Sequence, residues 1–480
     1  MDDASLVELC QPHELLEPLF SASSSSSPPQ SIEILIEAAK TDDGRSDLAA
    51  KNILPSVLNL IQSSARKYLL PSLKLLRNLC AGEILNQNSF IECDGVGVVS
   101  AVLGSAGLLP DPDIGIVRMC LQVLANVSLA GEKHQRAVWH RFFPNEFVAL
   151  ARVQNRDTCD PLCMIVYICC DGCPGLVAEL CRDQGLVILA EIVQTVSAVG
   201  FGEDWFKILL SRICIEEIYF GLLFSKLHQF GVRDEFFSSG QAFLLRCVSE
   251  IVNEQFNEVS VLNDFGLCVL GIFKRSVGFV DFVSRGKCGL PTGSAAIDIL
   301  GFSLTILRDI CARDNVGGIK DDAVDVVETL ISDGLVELLL CLLRDLERPA
   351  IVRKALIQSG NQEVKSSNSA KLCPYKGFRR DIVAVIGNCA YRRKHVQDEI
   401  RQKNGILLML QHCVTDEDNP FLREWGIWST RNILEGNAEN QQVVADLELQ
   451  GSVDVPELAD VGLKVEVDQE SRRAKLVNVS

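Results

Sequence analysis

Apolar residues recur at three- and four-residue intervals along most of the chain, which is the spacing of one face of an α-helix. Leu69, Leu70, Leu73, Leu76 and Leu79 form one such face, Val336, Leu339, Leu340 and Leu343 a second, and Ile382, Val385, Ile386 and Cys389 a third. Alternating β-branched runs are few, so the pattern predicts an all-α chain. Three stretches interrupt it. Residues 1–30 hold a short helical pattern and then Ser21 to Gln30 (SASSSSSPPQ), which has nothing to bury and reads as a Ser/Pro-rich linker. Residues 358–377 form a polar loop. From 452 to 480 the helical period fades into charges alternating with Val, which reads as a loosely held tail.

The helices between the breaks repeat. Leu75-Leu76-Arg77-Asn78-Leu79-Cys80-Ala81 resembles Ile306-Leu307-Arg308-Asp309-Ile310-Cys311-Ala312, and Val123-Leu124-Ala125-Asn126-Val127 and Val385-Ile386-Gly387-Asn388-Cys389 share its Asn. Asn78 and Asn126 lie about 48 residues apart, and Asn388 and Asn432 about 44, which is the armadillo/HEAT period. A Gly before an apolar helix start recurs at Gly95, Gly185, Gly266, Gly334 and Gly405. The expected reason is a left-handed residue that ends one helix so that the next can turn back. Each helix group leaves an apolar face that only a stacked neighbour covers. The fold expected is therefore an armadillo/HEAT-like α-solenoid, with repeats over 31–357 and a C-terminal repeat pair over 378–451.

Charge narrows the partners. Across 480 residues, 46 Lys and Arg face 63 Asp and Glu, a formal net charge of −17. Such a chain repels phosphate backbones, so neither nucleic acid nor an anionic membrane surface is expected as a partner. No apolar run approaches the roughly 18 residues of a membrane span. The acidic start Met1-Asp2-Asp3-Ala4 is unlike a secretory leader, and 19 Cys without one point to a reducing compartment; the expectation is the cytoplasm.

Little catalytic chemistry is specified. Cys159, Cys163, Cys169, Cys170, Cys173 and Cys181 are dense, but only Cys170 and Cys173 have CxxC spacing and no His lies nearby in sequence. Buried thiols explain the cluster better than zinc or redox chemistry. Gly95-Val96-Gly97 lacks the strand and third Gly of a dinucleotide fingerprint. No metal or cofactor and no enzymatic activity are expected.

The C-terminal region holds the candidate site. Trp428 and Asn432 are four apart and share a helix face. An Asn amide can bond an extended peptide's backbone while a Trp beside it seats aliphatic side chains, the Trp-x-x-x-Asn arrangement of peptide-binding armadillo proteins. Asn78, Asn126 and Asn388 could extend the ladder, but Lys74, Gln122 and Ala384 stand where its Trp would be. The alternative leaves Trp425 and Trp428 in the core and makes Asn432 a bridge between neighbouring helices. Nearby, Arg379, Arg380, Arg392, Arg393, Lys394, Arg401 and Lys403 crowd together. Arg392, Arg393 and Lys394 form an electrostatic rim for an acidic partner segment, or else these cations pair within the molecule. With Asn388 and Arg423 they complete the candidate residues.

Residues Phe378 to about Gly451 resemble the ataxin-10 C-terminal domain. The likeness rests on Phe378-Arg379-Arg380-Asp381 and Ile386-Gly387-Asn388. It rests further on Asp418-Asn419-Pro420-Phe421-Leu422-Arg423-Glu424-Trp425, and on Arg431 through Gln441 (RNILEGNAENQ). Val396 stands before Gln397 where the resemblance leads one to expect Asn-Gln. The resemblance implies a cytoplasmic, non-enzymatic armadillo-type scaffold acting through partner proteins; a homo-oligomer is a separate option that the resemblance does not decide. It associates such proteins with cytokinesis and cell division, cell survival, and differentiation and development. A transport adaptor carrying a basic cargo peptide is the alternative.

Overall fold

The computed structural model describes residues 30–63, 66–107, 112–202, 204–229, 236–254, 261–313, 325–358, 370–447, 463–467 and 474–478. The Ser21–Ser27 run and residues 359–369 of the polar loop lie outside them. Among the described residues every element is helical except one antiparallel hairpin, Leu463–Val467 with Ala474–Asn478. The helices stack as armadillo-like repeats. The alternation of Lys464 and Glu466 with Leu463, Val465 and Val467 has the two-residue period of a strand, and the stretch read above as a loosely held tail carries this local β-structure.

The chain divides into two compact units, one of Met1–Val280 with Pro291–Ile310 and one of Asp281–Leu290 with Cys311–Ser480. Five long helices carry the stacking that matters here. In the first unit these are α1 (Arg66–Leu79), α2 (Ile114–Ser128) and α3 (Arg156–Cys170); in the second, α4 (Phe378–Ala390) and α5 (Leu422–Leu434).

In the first unit α1 packs on α2 and α2 on α3, with the shorter helices Ile84–Glu92, Gly95–Val102, Glu132–Phe142 and Asn145–Ala151 between them. Over residues 66–170 two short helices separate each long one from the next. Leu73, Leu76 and Leu79 of α1, Val117, Leu121 and Leu124 of α2 and Val166 of α3 are wholly removed from solvent. Of the punctuating glycines, Gly334 has the left-handed φ expected (82°), but Gly95, Gly185, Gly266 and Gly405 do not. At Gly95 and Gly405 the residue before, Asp94 or Asn404, takes that conformation instead. What Gly95, Gly185 and Gly405 supply is close approach. A Cβ on Gly95 would lie 2.4 Å from the Phe90 ring, one on Gly185 2.3 Å from the Leu180 carbonyl oxygen, and one on Gly405 2.7 Å from Ile400.

In the second unit α4 and α5 cross in intimate contact. A Cβ on Gly387 would stand 2.1 Å from Ser429 Oγ, and one on Gly426 2.4 Å from the His412 carbonyl oxygen. Ser429 donates to the Val383 carbonyl at 3.0 Å. Residues 281–290 join this unit through backbone bonds, Gly286 N–H to Cys373 O at 2.9 Å and Leu372 N–H to Phe282 O at 2.7 Å. The end of the polar loop is thereby built into the core, with Cys373 and Tyr375 buried.

Gly387→Ala is expected to destabilise the protein by about 1–3 kcal/mol, because neither helix backbone can yield without repacking. Gly271→Ala, within the Asn263–Phe279 helix and with no atom within 4 Å of the added Cβ, should instead be neutral or stabilising by up to about 1 kcal/mol. Urea denaturation of the two variants beside the wild type checks the opposite signs.

Candidate functional site

The last four carbonyls of any helix lack a partner within it. Here the repeated Asn side chains take them. Asn78 Nδ2 donates to Ile36 O at 3.2 Å, near the end of the Gln30–Ala38 helix, and Asn126 Nδ2 donates to Arg77 O of α1 at 3.0 Å. In the second unit Asn432 Nδ2 donates to Gly387 O of α4 at 3.0 Å. Each of these three Asn residues thus caps a helix of the preceding repeat. A Gln completes the clamp. Gln87 Nε2 reaches Cys80 O (3.0 Å) and Asn126 O (2.9 Å), and Gln397 Nε2 reaches Ala390 O (3.3 Å) and Asn432 O (2.9 Å). Val396, the departure noted before Gln397, is fully buried, and the Gln makes its bonds beside it. At the next repeat Asn440 and Gln441 bond Ile433 O and Leu434 O, both at 2.9 Å.

Asn432 is accordingly a buried inter-helix bridge, whereas Trp428, one turn before it on α5, is 51% exposed. Both line a cleft of about 390 Å³ in the second unit, together with Asn388, Tyr391, Arg392, Arg393, Arg313 and Asp325. The cleft thus gathers five of the seven candidates and leaves out Lys394, exposed at the start of the next helix, and Arg423, half-buried in the first turn of α5.

Most of the cations crowded there pair within the molecule. Arg393 donates to Asp325 at 2.6 Å and to Glu328 at 2.9 Å. Burial works against its charge, but the Asp325 hydrogen bond and the two carboxylates outweigh that and raise its pKa above the ordinary arginine value. Arg380 pairs with Asp381 at 2.8 Å, Arg401 with Asp398 at 2.9 Å and Lys403 with Glu337 at 2.8 Å. Arg379 is buried, 3.8 Å from Asp416. Arg392 makes no salt bridge among the described residues, and Lys394 acts on Asp398 through its charge without forming one. Arg392, itself in a left-handed conformation (φ 56°), lies over the Tyr391 ring at 4.9 Å, and Arg431 lies over the Trp428 ring at 5.3 Å. Arg431 escaped the sequence reading although its i+3 spacing from Trp428 marks it as a helix-face neighbour. Arg313 and Asp325 carry no such signal, because they come from another part of the chain.

The Cys cluster is thiol core. Cys159, Cys163, Cys169, Cys170 and Cys181 are buried. Desolvation pushes the Cys159, Cys169 and Cys181 thiols up to about 12. Among the described residues no group of three or more His, Cys, Asp or Glu is placed to hold a metal, and no helix is long and apolar enough to cross a membrane.

The family model described as the spinocerebellar ataxia type 10 protein domain matches residues 378–477, which takes in α4, α5 and the hairpin. The ataxin-10 homolog of Dictyostelium discoideum is 39% identical over 94 residues, 20% of this chain and 15% of that protein. Ataxin-10 of Bos taurus is 25% identical over 464 residues, 92% of this chain and 93% of its own length. Residues 378–477 thus carry the C-terminal domain of the ataxin-10 family, and the chain is similar to ataxin-10 over most of its length. The residues that carried the resemblance are at work within that domain. Asn419 accepts from Arg379 N–H at 3.0 Å, Gly387 admits Ser429, and Asn437 caps its helix through Asn440 N–H at 3.1 Å. A designed armadillo repeat protein in complex with a (KR)4 peptide overlaps 49% of this chain and 98% of its own, at 12% identity and a TM-score of 0.30.

Two outcomes follow. Asn432→Ala strands the Gly387 carbonyl and should cost about 1–3 kcal/mol, while Trp428→Ala, on the surface, should stay within about 0.5 kcal/mol of wild type in urea denaturation. Brief iodoacetamide treatment of the native protein at pH 8 should label the exposed Cys93, Cys288 and Cys341, and leave Cys159, Cys169 and Cys181 unmodified until urea is added, as peptide mass spectrometry would read.

Proposed function

We propose that this protein is a non-enzymatic, cytoplasmic scaffold of the ataxin-10 type, which recruits partner proteins through the cleft of its second unit. Its role in the cell lies in cytokinesis and cell division, cell survival or development. The observation that carries the reading is the exposed Trp428 with the Arg431 cation on its ring, beside Arg392, which has no carboxylate partner among the described residues. An indole face seats aliphatic side chains, and guanidinium groups around it select acidic ones. Trp and Arg are also the side chains that most often dominate binding energy at interfaces. Asn388, Asn432 and Arg393 shape the cleft, and Lys394 and Arg423 extend its charge.

The test uses Trp428→Ala with Arg392→Ala, both exposed, since a variant at Asn432 would confound binding with loss of the clamp. Quantitative capture from cell lysate, with circular dichroism to establish equal helicity, should lose a defined set of proteins from the double variant. An unchanged set sinks the reading. Capture of a basic localisation peptide by the wild type would favour the transport adaptor instead.

A further inference from the structure

The first unit holds a different cleft, of about 560 Å³, that crosses successive repeats: Arg77 comes from α1, Arg118, Gln122 and Asn126 from α2, Arg156 and Met164 from α3, and Trp205 from the next helix. On α2 the three residues stand four apart and so share one face. Arg77 Nη1 donates to Gln122 Oε1 at 3.1 Å, and its Nε and Nη2 donate to Asn78 Oδ1 at 3.1 and 2.7 Å. Every acceptor it has is neutral. Arg156 likewise has no carboxylate partner among the described residues, and Arg118 meets Asp157 only at 3.6 Å, with both side chains about half exposed. The fifth charge, Asp160, is buried and receives Gly202 N–H at 2.9 Å. Burial and the neighbouring Arg118 charge both lower the Arg77 pKa, so the cationic form is under strain that an anion would relieve. Three guanidinium groups converging in a chain of net charge −17 is a local reversal of sign, and guanidinium is the side chain whose fork fits a carboxylate.

We propose that this cleft binds an acidic, extended peptide segment of a partner protein. A carboxylate of that segment seats between Arg77 and Arg118, and a second reaches Arg156. Intervening apolar side chains lie on Met164 and on Trp205, which is braced by the Tyr167 ring at 5.9 Å. Asn126 spends its Nδ2 on the clamp to Arg77 O, which leaves its Oδ1 to accept a peptide N–H. Gln122 spends its Oε1 on Arg77, which leaves its Nε2 to donate to a peptide carbonyl. The repeat's amides then serve two purposes at once, half for stacking and half for the ligand.

The experiment measures fluorescence anisotropy of a labelled peptide of alternating Asp and Leu, with full-length protein, beside the same peptide carrying Asn for Asp and one carrying Lys for Asp. Only the Asp peptide should bind, and more weakly as salt rises from about 50 to 300 mM. Arg118→Gln with Arg156→Gln, both exposed and therefore compatible with folding, should weaken it by about tenfold or more. Arg77→Gln should do the same, with circular dichroism to check its fold. Arg136→Gln with Arg152→Gln removes equal charge elsewhere on the unit and should leave binding within about twofold. No binding of the Asp peptide overturns the proposal, as does preference for the Lys peptide. Equal loss in the two double variants also overturns it, since the effect would then be net charge alone.

Discussion

The stacking of this protein depends on one recurrent hydrogen bond, from a side-chain amide on one repeat to an orphan carbonyl at the end of a helix in the repeat before it. Helix ends leave carbonyls unpaired, and burying such a group without a partner costs about 1–3 kcal/mol. In a single helix bundle water could meet that need at the surface. In stacked repeats each helix end is covered by its neighbour, so the neighbour must supply the donor. Asn78, Asn126 and Asn432 do so, and Gln87 and Gln397 donate to other carbonyls, Cys80 O with Asn126 O and Ala390 O with Asn432 O. The same pairing appears in both units. Apolar burial brings the helices together, but a stripe of Leu and Val tolerates sliding. A fixed donor on a fixed carbonyl sets the register.

Close approach is the companion constraint. An amide side chain is short, so the clamp closes only where helices nearly touch, and that is where the glycines stand. Gly387 accepts Ser429 against its Cα, and Ser429 then bonds Val383 O, so the tight crossing of α4 and α5 is itself hydrogen-bonded. The side chains that carry the ataxin-10 resemblance are largely those that shape this contact. Their identity is fixed by packing geometry, which leaves the neighbouring Trp428, Arg392 and Arg431 outside that structural role and open to a partner.

Charge is distributed by the same logic. Most cations of the second unit are spent on internal carboxylates, Arg393 on Asp325 and Glu328 most completely. Two others, Arg392 and Arg431, lie over the Tyr391 and Trp428 rings. In each unit a cleft combines an indole with guanidinium groups, although the bulk of the surface is acidic. The proposed recognition of acidic segments rests on this arrangement, and not on the nonspecific attraction a basic protein would show.

The amino-acid sequence by itself determined the helices, because an apolar period of three and four is a local property of the chain. It also determined the repeat, because Asn returns after about 48 and about 44 residues, and the likeness of the C-terminal domain, because the Asn419 to Trp425 and Arg431 to Gln441 runs are contiguous. It placed Trp428 and Asn432 on one helix face. It could not choose between their two roles, since an Asn amide offers the same donor to a peptide or to a helix end; only the position of Gly387 O decided. It could not show that the punctuating glycines mostly serve close packing, because the atoms they avoid lie on other helices or on turns not yet folded. Nor could it assemble Arg77, Arg118, Arg156 and Trp205, which share no local pattern and lie up to three repeats apart. Spacing reports what one helix does along its own axis. Which side chains converge across helices is settled by the stacking register, and that exists only in the folded chain.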